Sequence, residues 1–95
     1  LKEFAGAAII SFTEFKTNYS LFLQKRDEEN FRRAGHKIKP VAQMLGLNSI
    51  VDEYENAKKI IWEEKPDSDI QSSIIKMDKT CNQVLNELEN ISSNE

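Results

Sequence analysis

Apolar residues recur along this chain at intervals of three and four, and no stretch alternates with the period of two that a half-buried strand requires. That pattern admits helices and leaves no place for a sheet. Four such segments follow one another. Phe4, Ala8, Phe12, Phe15, Tyr19 and Phe22 mark the first, expected over about residues 2–26, with Gly6 weakening its first turn. The second, about 28–46, follows Asp27 as N-cap, carries Glu28 and Glu29 in its first turn, and shows Phe31, Ala34, Ile38, Ala42 and Leu45 before Gly46 stops it. The third, about 49–65, shows Ile50, Tyr54, Ala57 and Ile61 and ends before Pro66, because the residue preceding a proline avoids helical dihedrals. The fourth, about 68–91, is capped by Asp67 or Ser68 and shows Ile70, Ile74, Met77, Cys81, Val84 or Leu85, Leu88 and Ile91. With only 3 Gly and 2 Pro in 95 residues the connections must be short. Four amphipathic helices with short turns pack as an all-α, antiparallel up-down four-helix bundle. Ser92 to Glu95 are expected to fray.

The same composition excludes several classes of function. One Cys and one His match no zinc pattern, and Cys81 lies on the apolar stripe, where a small core residue is the ordinary reading. No apolar run approaches the length of a membrane span. The chain opens at Leu1 rather than Met and enters helical sequence almost at once, which suggests one domain, residues 1–95, cut from a longer protein. The net charge of −3 conceals an asymmetry. Residues 25–39 carry six cations and three anions, whereas the segment after Pro40 carries five cations and eleven anions. A local basic patch on an acidic chain lacks the broad basic face of a nucleic-acid binder. It suits a small anionic group or an acidic pocket on a partner.

The patch is centred on the only histidine. On a wheel of about 100° per residue with Ile38 at the centre of the apolar stripe, His36 falls roughly 160° away and faces solvent. Arg32, Arg33, Lys39, Pro40 and Gln43 lie within roughly 60° of it, and Lys37 stands to one side. No carboxylate occurs between Arg32 and Gln43, although an ordinary solvated helix face mixes signs. No serine or cysteine is placed to use His36 as a base, but the imidazole can itself be the nucleophile. The surrounding cations would then support whatever anion the ring acquires, and a phosphoryl group needs that support above all. Gly35, immediately before, allows close helix packing. Pro40 has no N–H for the His36 carbonyl, so a kink is expected there, with a fresh helix starting at Pro40 as the alternative.

These residues, His36, Lys39, Pro40 and Gly46 with the "HKIK" and "LGL" stretches and the Asp27-to-His36 rhythm "DEENFRRAGH", resemble the histidine-containing phosphotransfer domain of multistep two-component phosphorelays. The resemblance extends to the plan of a four-helix bundle with the histidine midway along the second helix. It implies that His36 accepts a phosphoryl group from a receiver-domain aspartate and passes it to another receiver. It implies further that Lys39 steadies the phosphoryl oxygens and that Gly46 ends the helix. Arg32, Arg33, Lys37 and Gln43 join them on the wheel as electrostatic or docking residues. By the same resemblance the domain is a monomeric, cytoplasmic phosphocarrier without a kinase site, cofactor or metal of its own. The divalent cation belongs to the receiver, and a hybrid sensor histidine kinase is one parent chain it allows. The departure is Pro40, where the family commonly has Gly for close approach of the receiver. Ile10 and Leu21, off the core stripe of the first helix, are candidates for the receiver-binding patch or for partial burial against a neighbouring helix.

Two other readings remain open at this point. A non-catalytic helical bundle that uses its surface for protein interaction would tolerate replacement of His36. The dimerisation domain of a histidine kinase also carries a helix-borne histidine, but it has two helices per protomer and an acidic residue after the histidine, where this chain has Lys37.

Overall fold

The computed structural model describes residues 2–93, and its elements are four helices: α1 (Lys2–Gln24), α2 (Glu28–Met44), α3 (Asn48–Trp62) and α4 (Asp67–Ser93). Each packs on its neighbours in the cycle α1–α2–α3–α4–α1, which is the antiparallel four-helix bundle that the periodicity predicts. The body measures 46 × 20 × 20 Å. Asn94 and Glu95, expected to fray, lie outside the described residues; Ser92 and Ser93 are helical.

The stripes supply the core. Ala8, Phe12, Phe15 and Tyr19 from α1, Phe31, Ala34, Ile38 and Ala42 from α2, Ile50, Tyr54 and Ala57 from α3, and Ile70, Ile74, Met77, Cys81, Val84 and Leu88 from α4 are all buried. Fully burying one such large side chain is worth roughly 1.5–3 kcal/mol. The ends of the stripes differ from expectation. Ala5 and Leu23 are buried where Phe4 and Phe22 were expected, Ile60 replaces Ile61, and Ile91 is exposed. A stripe of fixed three-and-four spacing drifts around a 3.6-residue helix, so its outermost members leave the packed face first.

All three connections close with one device. At the end of α2, Gly46 takes φ +71, its N–H donates to the Gln43 carbonyl at 3.1 Å, and the Leu47 N–H donates to the Ala42 carbonyl at 2.8 Å. This is the Schellman closure expected of a glycine stop. Arg26 (φ 54) and Glu64 (φ 52) close α1 and α3 in the same way, with the Asp27 and Lys65 N–H groups donating to the Phe22 and Ile60 carbonyls. These two helices therefore stop short of residues 26 and 65, because non-glycine residues occupy the left-handed positions. Arg26 also donates to the Lys65 carbonyl and pairs with Asp67 at 3.2 Å, joining the two connections at that end of the bundle.

Pro40 lies inside α2, which runs unbroken to Met44, so no fresh helix begins there. Pro40 is exposed, and water can reach the His36 carbonyl that lacks a helical donor. At the other end Asp27 caps the helix, its side chain accepting from the Asn30 N–H at 3.2 Å.

Candidate functional site

The α2 ridge carries the candidate site. Its buried face, Phe31, Ala34, Gly35, Ile38 and Ala42, turns the opposite side outward and leaves His36, Arg32, Arg33, Lys37, Pro40 and Gln43 exposed, with Lys39 half-buried. The imidazole makes no hydrogen bond or ion pair among the described residues. It stands on the crest between two grooves and lines neither. One, about 140 Å³, lies between α1 and α2 and is lined by Glu14, Phe15, Lys37 and Ile38 among others. The other, about 280 Å³, lies between α2 and α3; Phe31, Arg32, Glu55 and Lys58 contribute to it, and Trp62, 77% exposed, forms its rim.

The cations around His36 are not unpaired. The strip from Arg32 to Gln43 contains no carboxylate, but two stand one turn back on α2 itself and the fold brings two more from α1 and α3. Arg32 faces Glu28 at 3.7 Å and Arg33 faces Glu29 at 2.9 Å, both one helical turn back. Lys37 reaches Glu14 on α1 at 3.5 Å, and Lys39 reaches Glu55 on α3 at 3.4 Å. The expectation of a carboxylate-free basic strip is corrected by these pairs: among the charged and titratable groups of the ridge, only His36 has no partner. The pairs are at least about a third exposed, and each is worth between nothing and about 1 kcal/mol. They are exchangeable, so an arriving anion can recruit the cations.

Glu55 is shared. Its Oε1 lies 3.0 Å from Lys58 Nζ while its Oε2 faces Lys39. The Lys58 hydrogen bond, helped by Lys39, holds the Glu55 carboxyl below the usual glutamate range. The neighbouring residue, Tyr54, is wedged against α2. A Cβ at Gly35 would collide with the Tyr54 ring, so only glycine admits this approach. The Tyr54 hydroxyl donates to the Arg32 carbonyl at 3.3 Å, and the ring packs at a tilt against Phe31, 5.2 Å between centroids. Burial pushes the Tyr54 phenol up from its ordinary value. The Arg32 carbonyl is the one to which helical geometry assigns the His36 amide. Tyr54 thus braces the turn that carries the histidine.

Of the residues singled out from sequence, His36, Arg32, Lys39, Pro40 and Gln43 share the outer face of α2, with Arg33 and Lys37 on its α1 side. Gly46 stands apart, two residues beyond the helix, as its terminator. Ile10 and Leu21 are exposed, at 68% and 43%, and Leu21 borders a groove that Asp78 of α4 also lines. Glu14, Glu55 and Tyr54 were absent from the sequence-derived site. Gly35 was the one available signal for Tyr54, since a helical glycine marks a close approach without saying what approaches. Cys81 takes no part: burial pushes its thiol up to about 12. No group of three or more His, Cys, Asp or Glu side chains among the described residues could hold a metal ion. None of the helices described is long and apolar enough to cross a membrane.

No family model, curated protein or solved structure matches the chain.

Proposed function

We propose that this domain is a phosphorelay carrier in which His36 accepts a phosphoryl group from the aspartyl phosphate of a response-regulator receiver domain and returns it to another receiver aspartate. The observation that carries this reading is the exposed, unpartnered imidazole on the α2 crest, surrounded by cations held in exchangeable pairs. In the forward step an imidazole nitrogen lone pair attacks phosphorus. The P–O bond to the aspartate breaks, its electron pair leaves with the carboxylate, and the ring's other nitrogen releases its proton to solvent. Lys39 stabilises the phosphoryl oxygens, with Arg32 and Arg33 as further electrostatic support and Lys37, Pro40 and Gln43 in the docking surface. Ile10 and Leu21 extend that surface on α1. The carrier has no kinase chemistry of its own, and the divalent cation resides in the receiver's acidic pocket. The domain acts as a monomer at the cytoplasmic side of a signalling chain such as a hybrid sensor kinase.

The test is phosphotransfer from a panel of aspartyl-phosphorylated receiver domains. Acid-labile, base-stable phosphate on the wild type and none on His36→Gln supports the carrier. Because His36 is exposed and makes no hydrogen bond or ion pair among the described residues, His36→Gln should unfold within about 0.5 kcal/mol of wild type, so loss of label would not reflect loss of fold. A folded wild type that takes no label from any receiver favours a second reading, a non-catalytic interaction module. That reading draws on the internal pairing of all four flanking cations.

A further inference from the structure

We infer that Glu55 on α3 is the resting counter-ion of Lys39 and competes with the phosphoryl group for it, so that Glu55 sets how far His36 is phosphorylated and how long the phosphohistidine lasts. This rests on the carrier reading above. Lys39 stands one turn beyond His36, on the side of α2 that faces α3, and its ammonium is held 3.4 Å from Glu55 Oε2. Its three N–H donors are open to both acceptors, so the carboxylate draws the ammonium away from a phosphoryl group on His36. The exchange is cheap for a structural reason. The other oxygen of Glu55 is already 3.0 Å from Lys58, so the carboxylate keeps a cation when Lys39 departs and is not left unpaired. The Lys39 contact is the longer of the two and is half-exposed. A phosphoryl group carries more negative charge than a carboxylate, so at comparable distance it wins the lysine.

The placement of Glu55 is not left to a flexible surface. Tyr54, the residue before it, is seated on Gly35 and hydrogen-bonded to the Arg32 carbonyl, which sets the register of α3 against the His36 turn. The same contact that braces the histidine therefore delivers the competing carboxylate beside its lysine. Glu55 is a positioning residue for Lys39.

Phosphoramidate, a small phosphodonor, removes the receiver from the test. An imidazole nitrogen of His36 attacks phosphorus, the P–N bond of the donor breaks, and its nitrogen leaves as ammonia with the electron pair. The ring gives up its remaining N–H proton. Phosphohistidine yield and its half-life after donor removal are read by phosphorus NMR. Glu55→Gln should raise both by about two- to fivefold, the span expected for one half-exposed ion pair. Lys39→Ala should lower both, and adding Glu55→Gln to it should change nothing further. Lys39→Arg should restore the sensitivity to Glu55→Gln, which a merely structural role for Glu55 would not do. A Glu55→Gln protein that matches wild type, or an equal gain on the Lys39→Ala background, overturns the inference while label that depends on His36 preserves the carrier. Absence of label on wild type, or label that persists in His36→Gln, overturns the carrier and the inference together.

Discussion

Gly35 decides more at the scale of single residues than its place beside His36 suggests. A glycine inside a helix ordinarily costs about 1 kcal/mol relative to alanine, so Gly35→Ala would stabilise an isolated α2. In the bundle the new methyl collides with the Tyr54 ring, which is buried and packed against Phe31. Overpacking of this kind costs about 1–3 kcal/mol, which exceeds the gain in propensity. Gly35→Ala should therefore lower the urea midpoint, and an unchanged or raised midpoint would show that Tyr54 moves freely. Sequence placed the histidine on the outer face correctly, because facing direction follows from helical phase alone. The i,i+4 spacing of Arg32 with Glu28 and of Arg33 with Glu29 was there to be read, but the partners of the two lysines were not. Glu55 is 16 positions from Lys39 and Glu14 is 23 from Lys37, and no local pattern links such pairs.

The α2 element carries two features that work against each other. Asp27 stabilises its start and Pro40 weakens its last turns. An interior proline costs a helix about 3 kcal/mol, part of which is returned because proline also restricts the unfolded chain. Pro40→Ala should restore a donor to the His36 carbonyl and stabilise the domain by about 2 kcal/mol, read as a raised thermal midpoint. A fall would mean that the proline ring itself packs usefully. At the other end, the hydrogen bonds from the Asn30 side chain and then the Asn30 backbone N–H hold the Asp27 carboxyl below its ordinary value. An acid with a depressed folded-state value binds fewer protons folded than unfolded. Its contribution is present in full above the ordinary aspartate value of about 4 and is lost as pH falls through the lower folded value. Asp27→Asn should flatten the fall in stability below pH of about 4, measured by urea melts across pH; an equally steep fall in the variant would remove Asp27 as a source. The Asp27 cap and the Gly46 stop were legible because caps are local chemistry, whereas Asp67 and Ser68, expected to cap α4, lie inside that helix, and α3 follows Leu47 with no side-chain cap. The stops at Arg26 and Glu64 were not legible, since nothing in an arginine or a glutamate announces a left-handed conformation.

Across the whole molecule one polar knot ties three helices through the core. Ser73 on α4 is buried, with its Oγ 2.7 Å from the Tyr19 hydroxyl of α1 and donating at 2.7 Å to Glu53 Oε2 of α3. With the Ser73 proton on Glu53, the single Tyr19 proton goes to Ser73 Oγ; the Tyr19 hydroxyl also lies 3.3 Å from the Glu53 backbone carbonyl, and burial pushes its phenol well above the usual range. Ser73→Ala removes the shortest bond of a buried hydroxyl and should destabilise the domain by about 1–3 kcal/mol. Combining it with Tyr19→Phe should cost less than the two changes separately, because the orphaned hydroxyl disappears with its partner. Additive losses in a double-mutant cycle would break the knot into unrelated contacts. Ser73 falls within the apolar stripe of α4, one position before Ile74, yet one helix's pattern cannot say what a buried hydroxyl meets. The number of helices, their order, the core-facing stripes and the outward histidine all followed from the chain read alone, because periodicity and capping depend on neighbours within about one turn. The Tyr54 brace on Gly35, the sharing of Glu55 between Lys39 and Lys58, and the Ser73 knot depend on the axial register of one helix against another. That register is a property of packing, where side chains far apart in the chain must fit one volume, and only the assembled bundle decides it.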